Sequence, residues 1–559
     1  MQSIAFQGCA GWFYDARSTR GVVICAPLGL EELCGRRTLH LLAQRLAAAG
    51  LPTLRFDYRG EGDSTGDALD PDCLERWRQD ARGAIAELRR LTGVEDIALV
   101  GMRFGALLAA EIAAEREDVS HLALIAPVGS GKAYIREARI LARLIQTDGV
   151  PHETEMNSDF GLAGFILSDE TSAAIGAMSA DALQRRPAAE IMLVEEAGNR
   201  AAAKIAAHFE KLGAGVSRIE FPNYDLMMRD PALSVPADDI LAPIADWLAS
   251  GAQSGEGCDR ETPTKVLSEG GWVEEGVVFG AQGLAGFYCR PAERAARHNV
   301  VFAGPGNNHH VGWGRSHVEF ARALAAYGVA SLRIDYAGVG DSGGEQTDIY
   351  ADERTTDVEA AIAWLAERSP PDGDLSIIGV CSGAYHALRL AVRDPRIKRA
   401  VLLNQQRYEV GLHHKLAWFA FSLQARIVFA MEAPDAPGWK VALLRAALGG
   451  LYVLRRTGSL LNRARRRLLS AGEQAGVAAE TNGAEQSFRA LSQRHARVLL
   501  VHSPTDPAVP ELERLMGPEG RRATALPGVT RVVLDGADHL LSSRAARKTY
   551  EAALIGFLA

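Results

Sequence analysis

Short β-branched or aliphatic runs alternate with longer amphipathic stretches through most of the chain. In the first half the runs are Val22–Cys25, Thr53–Phe56, Ile97–Val100 and Leu122–Ile125. Between them lie Ala/Leu/Arg-rich segments such as Leu39–Ala49 and Trp77–Leu91, long enough for helices. A strand that is apolar along its whole length is buried on both faces. Such strands separated by helices predict a parallel sheet covered on each side. The second half repeats the pattern with Val300–Phe302, Ser331–Ile334, Leu375–Ile378 and Ala400–Leu403. The fold class is α/β.

The recurrence extends to the residues themselves. LRFDYRGEGDSTG at 54–66 returns as LRIDYAGVGDSGG at 332–344, a shift of 278 (Asp335 against Asp57). The same shift maps VVICAP at 22–27 onto VVFAGP at 300–305, and LVGMRFGALLA at 99–109 onto IIGVCSGAYHA at 377–387. A constant shift means shared element order and loop lengths, so a whole domain has been duplicated. The Gly-, Ser- and Thr-rich stretch at 251–265 separates the copies. The expected organisation is a domain at 1–250, a linker at 251–270 and a second domain at 271–559.

Composition narrows the class without setting the chemistry. The chain has 559 residues, 47% of them hydrophobic and 23% charged, with a net charge of −8. These values suit a globular protein of more than one domain and give no reason to expect nucleic acid binding. Seven cysteines form no C-x-x-C pair and no zinc spacing, which predicts reduced thiols in a cytoplasmic protein. The opening residues lack a basic region followed by an apolar one, so no signal peptide is expected. The most apolar stretch, at 418–431, is too short and too polar to span a bilayer.

In each half a strand runs into a Gly-x-x-x-Gly turn and directly into a helix, the setting of a nucleophile elbow. Small flanking residues permit a tight, strained turn that lifts one side chain above the sheet edge. In the second half the turn is Gly379-Val380-Cys381-Ser382-Gly383, with Cys381 at the nucleophile position. The N–H of Ser382 then heads a helix and faces a substrate oxygen, as an oxyanion donor.

With VVFAGPG, LRIDYAGVGDSGG, GVCSGA, VLLVHSPTD and GADHLL in this order, the chain resembles the α/β-hydrolase superfamily across nearly all of both halves. The G-D-S loop and cysteine elbow of the second half are similar to the hydrolases associated with exosortase and exopolysaccharide gene clusters. The resemblance implies two tandem α/β-hydrolase domains, each a mostly parallel sheet flanked by helices, the second with a helical lid at about 404–496. It also implies the chain order nucleophile, acid, histidine. Asp506 follows the run Val498–Val501 and His539 follows Val532–Leu534. Cys381, Asp506 and His539 then form a triad in which His539 takes the thiol proton and Asp506 fixes the imidazole. Gly306 or Asn307, in the loop after the strand at 300–302, is the expected second oxyanion donor. No cofactor and no metal are expected. His309, His310 and His317 lack a neighbouring carboxylate in sequence. The Asp-Ser pairs of the two G-D-S loops (Asp63-Ser64, Asp341-Ser342) are expected to make structural turns, since the inert half has them too.

At the same positions the first half holds Arg103, then Asn199 at a shift of 307 and Leu226 at a shift of 313. None of these is a nucleophile, an ionised acid or a base, so the first half is expected to be a pseudo-hydrolase. Arg103 either fills the dead pocket or pairs across the domain interface. The inert half is expected to scaffold the other as a fixed pseudo-dimer.

The shift grows from 278 to 307, so the second half carries about 29 extra residues where the lid belongs. They include an apolar, aromatic stretch at 416–431, suited to a greasy substrate channel. A basic stretch follows, with Arg455, Arg456, Arg463, Arg465, Arg466 and Arg467. It could receive an acyl carrier protein, a coenzyme A phosphate or, peripherally, an anionic membrane. The expected activity is hydrolysis or acyl transfer on an ester or thioester through an acyl-cysteine. The alternative is a non-catalytic module that binds a lipid, an acyl group or a partner.

Overall fold

A computed structural model describes residues 1–145, 160–162, 164–228, 231, 234–254, 262–368, 374–410 and 483–558. The first half contributes β1 (Gln2–Phe6), β2 (Cys9–Tyr14), β3 (Arg20–Cys25), β4 (Thr53–Phe56), β5 (Asp96–Met102) and β6 (Val119–Ile125). A hairpin, β7 (Phe160–Leu162) and β8 (Phe165–Leu167), precedes β9 (Glu190–Glu195) and β10 (Gly215–Glu220). The second half contributes β11 (Val266–Glu269), β12 (Trp272–Phe279), β13 (Leu284–Pro291), β14 (His298–Ala303), β15 (Val329–Ile334) and β16 (Leu375–Val380). It ends with β17 (Ile397–Leu403), β18 (Arg497–His502) and β19 (Val529–Val533).

The first sheet has the order β1-β2-β4-β3-β5-β6-β9-β10. The second repeats that order as β12-β13-β15-β14-β16-β17-β18-β19, with β11 added at its edge. From β4 and β15 onward every pairing is parallel; the edge pairings β1–β2, β2–β4, β11–β12, β12–β13 and β13–β15 are antiparallel. Crossover helices therefore cover both faces, as the continuous apolar runs predict.

The register reproduces each shift between the halves. Cys25 pairs with Gly101 and Ala303 with Gly379, both displaced by 278. Val216 pairs with Ile191 and Val529 with Val498, which fixes the displacements of 307 and 313 at the acid and histidine strands. Strand β11 lies inside the stretch 251–270 expected to be linker, so the second sheet begins within it. The chain approaching it is tied to β1 by Ala5 N–H donating to Thr264 O at 2.6 Å.

One hydrophobic cluster spans both halves, running from Trp12, Leu39 and Ile244 to Phe287, Phe320 and Tyr550. The opposite face of each sheet has a cluster of its own, around Trp77 and Phe104 in the first half and Tyr336 and Leu388 in the second. The inner cluster makes the halves one packed body. Among the described residues no helix is long and apolar enough to cross a membrane. The expected lid residues 411–482, with the apolar stretch and all six arginines, lie outside the described residues; the helix Gly483–Gln493 lies within them.

Both G-D-S loops make the same clasp. Ser64 Oγ donates to Asp57 O at 2.6 Å and accepts from Ala10 N at 2.9 Å; Ser342 Oγ donates to Asp335 O at 2.7 Å and accepts from Ala285 N at 2.8 Å. The serines thus hold each loop to its antiparallel edge strand. The aspartates cross to the other half. Asp63 accepts from Arg333 at 2.7 Å, and Asp341 accepts from Arg55, from Arg36 at 3.0 Å and from Trp12 Nε1 at 2.9 Å.

Candidate active site

The turn between β16 and the helix Ser382–Arg393 holds Cys381 at φ 54°, ψ −115°. A non-glycine residue is rarely found there, and it stays only where its surroundings impose it. Gly379 and Gly383 are part of that imposition. A Cβ on Gly379 would lie 2.5 Å from Ala384 Cα, and one on Gly383 would lie 2.1 Å from Ala303 O. The two glycines let the helix approach β14 closely enough to force the bend. Cys381 is half-buried, whereas Cys9, Cys25, Cys34, Cys73 and Cys289 are buried. Burial pushes the Cys25 thiol up to about 12 and raises those of Cys9, Cys73 and Cys289. Their sulfurs are packing groups.

The loops after β18 and β19 bring the other two candidates to this point. His539 Nδ1 donates to Asp506 Oδ2 at 2.5 Å, and its ring lies within hydrogen-bonding reach of Cys381. Asp506 is itself fixed, its Oδ1 accepting from Ala508 N at 2.8 Å. Burial opposes a charged imidazole, but the hydrogen bond to Asp506 and the hydrogen bond and charge of Cys381 outweigh it. Together they push His539 up from 6.5 to about 10. The structure therefore brings Cys381, His539 and Asp506 together.

The expected oxyanion residues are also adjacent, in an arrangement their sequence does not suggest. Gly306 N–H donates to Ser382 Oγ at 2.9 Å, so the serine hydroxyl clasps the loop that follows β14. Gly306 N–H is thus committed within the protein. The Ser382 N–H heads its helix, where first-turn N–H groups have no intrahelical acceptor. Asn307 Oδ1 accepts from Arg354 at 2.5 Å, and Arg354 also donates to Gly306 O and, at 2.9 Å, to Thr347 O. Arg354, 1% exposed, pins the loop from behind. Its counterpart 278 residues earlier, Arg76, pairs instead with Asp70 at 3.0 Å.

Asn404, fully buried at the end of β17, is a second residue that sequence reasoning missed. Its side chain donates to Ser503 Oγ at 3.0 Å and to His539 O at 2.9 Å, and accepts from Ser503 N at 2.8 Å. Three loops are thereby joined through one amide. The signal was available in the repeat: the counterpart is Ala126, with nearly the same backbone (φ 44° against 48°) and no amide.

The first half keeps the bend and holds other side chains at the three positions. Arg103 sits at φ 56°, ψ −115°, matching Cys381. Its guanidinium donates to Glu31 at 2.8 Å and to Glu137 at 2.6 Å, and lies 5.9 Å from the Tyr224 ring. All are first-half residues, so among the described residues Arg103 fills its own pocket and does not pair across the interface. Asn199 caps the helix Arg200–Lys211, accepting from Ala201 N and Ala202 N. Leu226 lies in the short helix Tyr224–Met228.

Of the three clustered histidines, His309 meets Glu32 and His310 meets two carboxylates. His310 Nε2 lies 2.7 Å from Asp63 Oδ2 and its Nδ1 2.9 Å from Asp335 Oδ1. Asp335 and Asp341 stand with it as a geometrically possible metal cluster. Both ring nitrogens are already engaged, and Arg36, Arg55 and Arg333 pair with the surrounding carboxylates, so the group is a buried ion network. His317 is buried against Phe302.

Comparison with known proteins places both halves in hydrolase families. Residues 17–212 match the family described as serine aminopeptidase, S33, and residues 300–552 match the alpha/beta hydrolase family. Comparison with curated proteins gave no match. Among solved structures, the esterase Pf2001 of Pyrococcus furiosus is 16% identical, with 51% of this chain and 90% of that one covered and a TM-score of 0.32. The Est1E protein of Butyrivibrio proteoclasticus, solved with ferulic acid bound, is 18% identical over 44% of this chain and 96% of its own, TM-score 0.32. The hypothetical protein PA2218 of Pseudomonas aeruginosa is 16% identical, with 52% and 93% covered and a TM-score of 0.32. Strand order, the paired elbows and the matched stretches together make this chain two α/β-hydrolase domains in tandem.

Proposed function

We propose that the C-terminal domain is a hydrolase or acyltransferase that cleaves an ester or thioester through an acyl-enzyme on Cys381. The observation that carries this reading is the thiol at the strained bend with His539 in reach and Asp506 behind it. The Cys381 sulfur, its proton passed to His539, attacks the acyl carbon. The carbonyl electron pair moves to oxygen, where the Ser382 N–H stabilises it. Collapse expels the alkoxide or thiolate, which takes the proton from His539, leaving a thioester on Sγ. Water or another acceptor then attacks that thioester, His539 accepts its proton, and the thiolate is released and reprotonated. Asp506 holds the imidazole orientation and balances its charge throughout. The cysteine elbow and G-D-S loop carry the resemblance to the exosortase- and exopolysaccharide-associated hydrolases, which supports a thiol route over a serine one.

The test is intact-protein mass after mixing with short-chain p-nitrophenyl esters and acyl thioesters, with product release followed in parallel. An adduct of acyl mass is expected on the native chain and none on Cys381→Ala. Adduct and turnover persisting in that variant overturn the mechanism. Neither adduct nor turnover on the native chain favours the non-catalytic binding module.

A further inference from the structure

Two loops flank Cys381 in the second domain: the segment from Gly304 to Arg315, which carries Gly306, and the segment from Gly536 to Ser543, which carries His539. Both are held by the inert domain. Glu32, on the first-half helix Gly29–Ala48, accepts from His309 Nε2 at 3.0 Å, three residues beyond Gly306. Asp63 of the first G-D-S loop holds His310. Arg315 returns the contact, donating to Gly62 O at 2.8 Å and Gly66 O at 2.7 Å.

The tip of the β7–β8 hairpin reaches the histidine loop. Phe165 and Leu540, the residue after His539, both pack against the cluster of Leu30, Leu33 and Trp313, and the Phe165 ring centroid lies 5.8 Å from that of Trp313. Gly164 approaches so closely that a Cβ there would lie 3.1 Å from both Cα and O of Ser542. Arg547 donates to Ser542 O at 3.2 Å and to Gly164 O at 3.4 Å, closing the seam. One first-half patch, made of a helix and a hairpin tip, therefore touches both the loop that clasps Ser382 and the loop that carries His539.

We propose that the degenerate domain is a positioning module for the catalytic one. Glu32 and Asp63 set the Gly306 loop, and Phe165 sets the loop of His539, through contacts between the halves. This rests on the proposed acyl-cysteine chemistry for its consequence but not for its structural content. Glu32, Asp63 and Phe165 are positioning residues, since none reaches the reacting atoms. A loop displaced by about an ångström loses alignment and can lower the rate as much as ~100-fold without a matching loss of binding.

The experiment uses the full chain, with Phe165→Ala and Glu32→Gln made separately and Arg82→Ala, in a surface ion pair with Glu115, as control. Hydrogen exchange is measured on peptides covering 304–315, 536–543 and, for reference, 375–380. Single-turnover acylation of Cys381 is followed at several substrate concentrations. Phe165→Ala is expected to speed exchange in 536–543, and Glu32→Gln in 304–315, with 375–380 unchanged. Acylation should slow about tenfold at saturation, with the concentration giving half the maximal rate altered less than twofold. Arg82→Ala should match the native chain. Native exchange in both loops for both variants overturns the proposal, as does an equal rise in all three peptides. If the native chain never acylates, the acyl-cysteine mechanism fails, and the exchange measurements still decide whether the loops are held this way.

Discussion

The two halves share one bend and differ in the residue placed on it, which shows what each residue adds. Arg103 and Cys381 share φ and ψ within a few degrees, so the strain belongs to the glycines and the strand–helix junction and not to the chemistry. The side chains decide the rest: a guanidinium there is balanced by Glu31 and Glu137, whereas a thiol there meets an imidazole. That imidazole carries a pH prediction. His539 is raised from 6.5 to about 10, so it stays protonated through neutral pH and loses its proton as pH rises through about 10. If His539 must protonate the leaving group, the Cys381-dependent acylation rate should hold through neutral pH and fall on a limb near 10. Asp506→Asn removes the first of the causes that raise the imidazole. Its limb should move down toward 6.5, with a rate loss on the order of 100-fold or more at neutral pH. A limb that stays in place in Asp506→Asn would remove the carboxylate from the mechanism. The three candidate residues were legible from the chain order that the superfamily resemblance implies. Arg354 and Asn404 were not, because their partners are backbone groups and loop ends that only the fold brings near.

At the scale of elements, the parallel strands announced themselves and the antiparallel edges did not. β16 throughout, and β17 from Ala400 onward, are buried because helices cover both their faces. β12 mixes buried, part-exposed and exposed positions and carries Glu274 and Glu275, and β11 is mostly exposed, so neither forms a continuous apolar run. The stretch that feeds β11 looks like linker for the same reason. Loops at the carboxyl ends of β16, β17, β18 and β19 converge on one edge of the sheet, where this class of fold places its ligands. Asn404 is the joint among three of them. Asn404→Ala leaves the buried Ser503 N–H without its acceptor, a cost of about 1–3 kcal/mol, and frees the histidine loop from β17. The expected result is a folded protein whose maximal acylation rate falls roughly 10- to 100-fold while half-saturation stays within about twofold. Asn404→Asp keeps the acceptor for Ser503 and loses the donor to His539 O, and should fall between. Equal losses in rate and affinity would make Asn404 a packing residue only. The first half has Ala126 at the corresponding position, alongside Arg103, Asn199 and Leu226 at the other three.

For the whole molecule, duplication explains why so many charges are buried in pairs 270 to 305 residues apart. Each half presents an aspartate on its G-D-S loop and an arginine on the strand leading into it, and the halves exchange them: Asp63 with Arg333, Asp341 with Arg55. Sequence periodicity registers such residues as polar and therefore exposed, yet Asp63, Asp341 and Arg333 are fully buried and Arg36 and Arg55 nearly so. The exchange is not symmetric in detail. His310 bridges Asp63 and Asp335 on one side, while Arg36 bridges Asp57 and Asp341 on the other. Burial opposes charge on His310, but Asp335 and Asp63 outweigh it and push it up to about 10. Burial likewise opposes charge on Asp63, which His310 and Arg333 hold well below the usual carboxylate range. Stability from Asp63 is thus present above a carboxylate's ordinary pKa and lost on acidification. Stability from His310 is full below about 6.5 and lost toward 10. Asp63→Asn strands Arg333 and His310 without one counter-charge in a dry interface, which should cost about 3–5 kcal/mol near neutral pH. Because the inner cluster is shared, the native chain should unfold in urea as one transition, and the variant should show either a lower midpoint or two separate transitions. Salt separates this from a surface effect: at 1 M the Debye length is about 3 Å, enough to screen exposed pairs but not a buried one. A destabilisation that vanishes in 1 M salt, or one below about 1 kcal/mol, would mean that the exchanged aspartates are solvated and that the shared apolar cluster alone joins the halves.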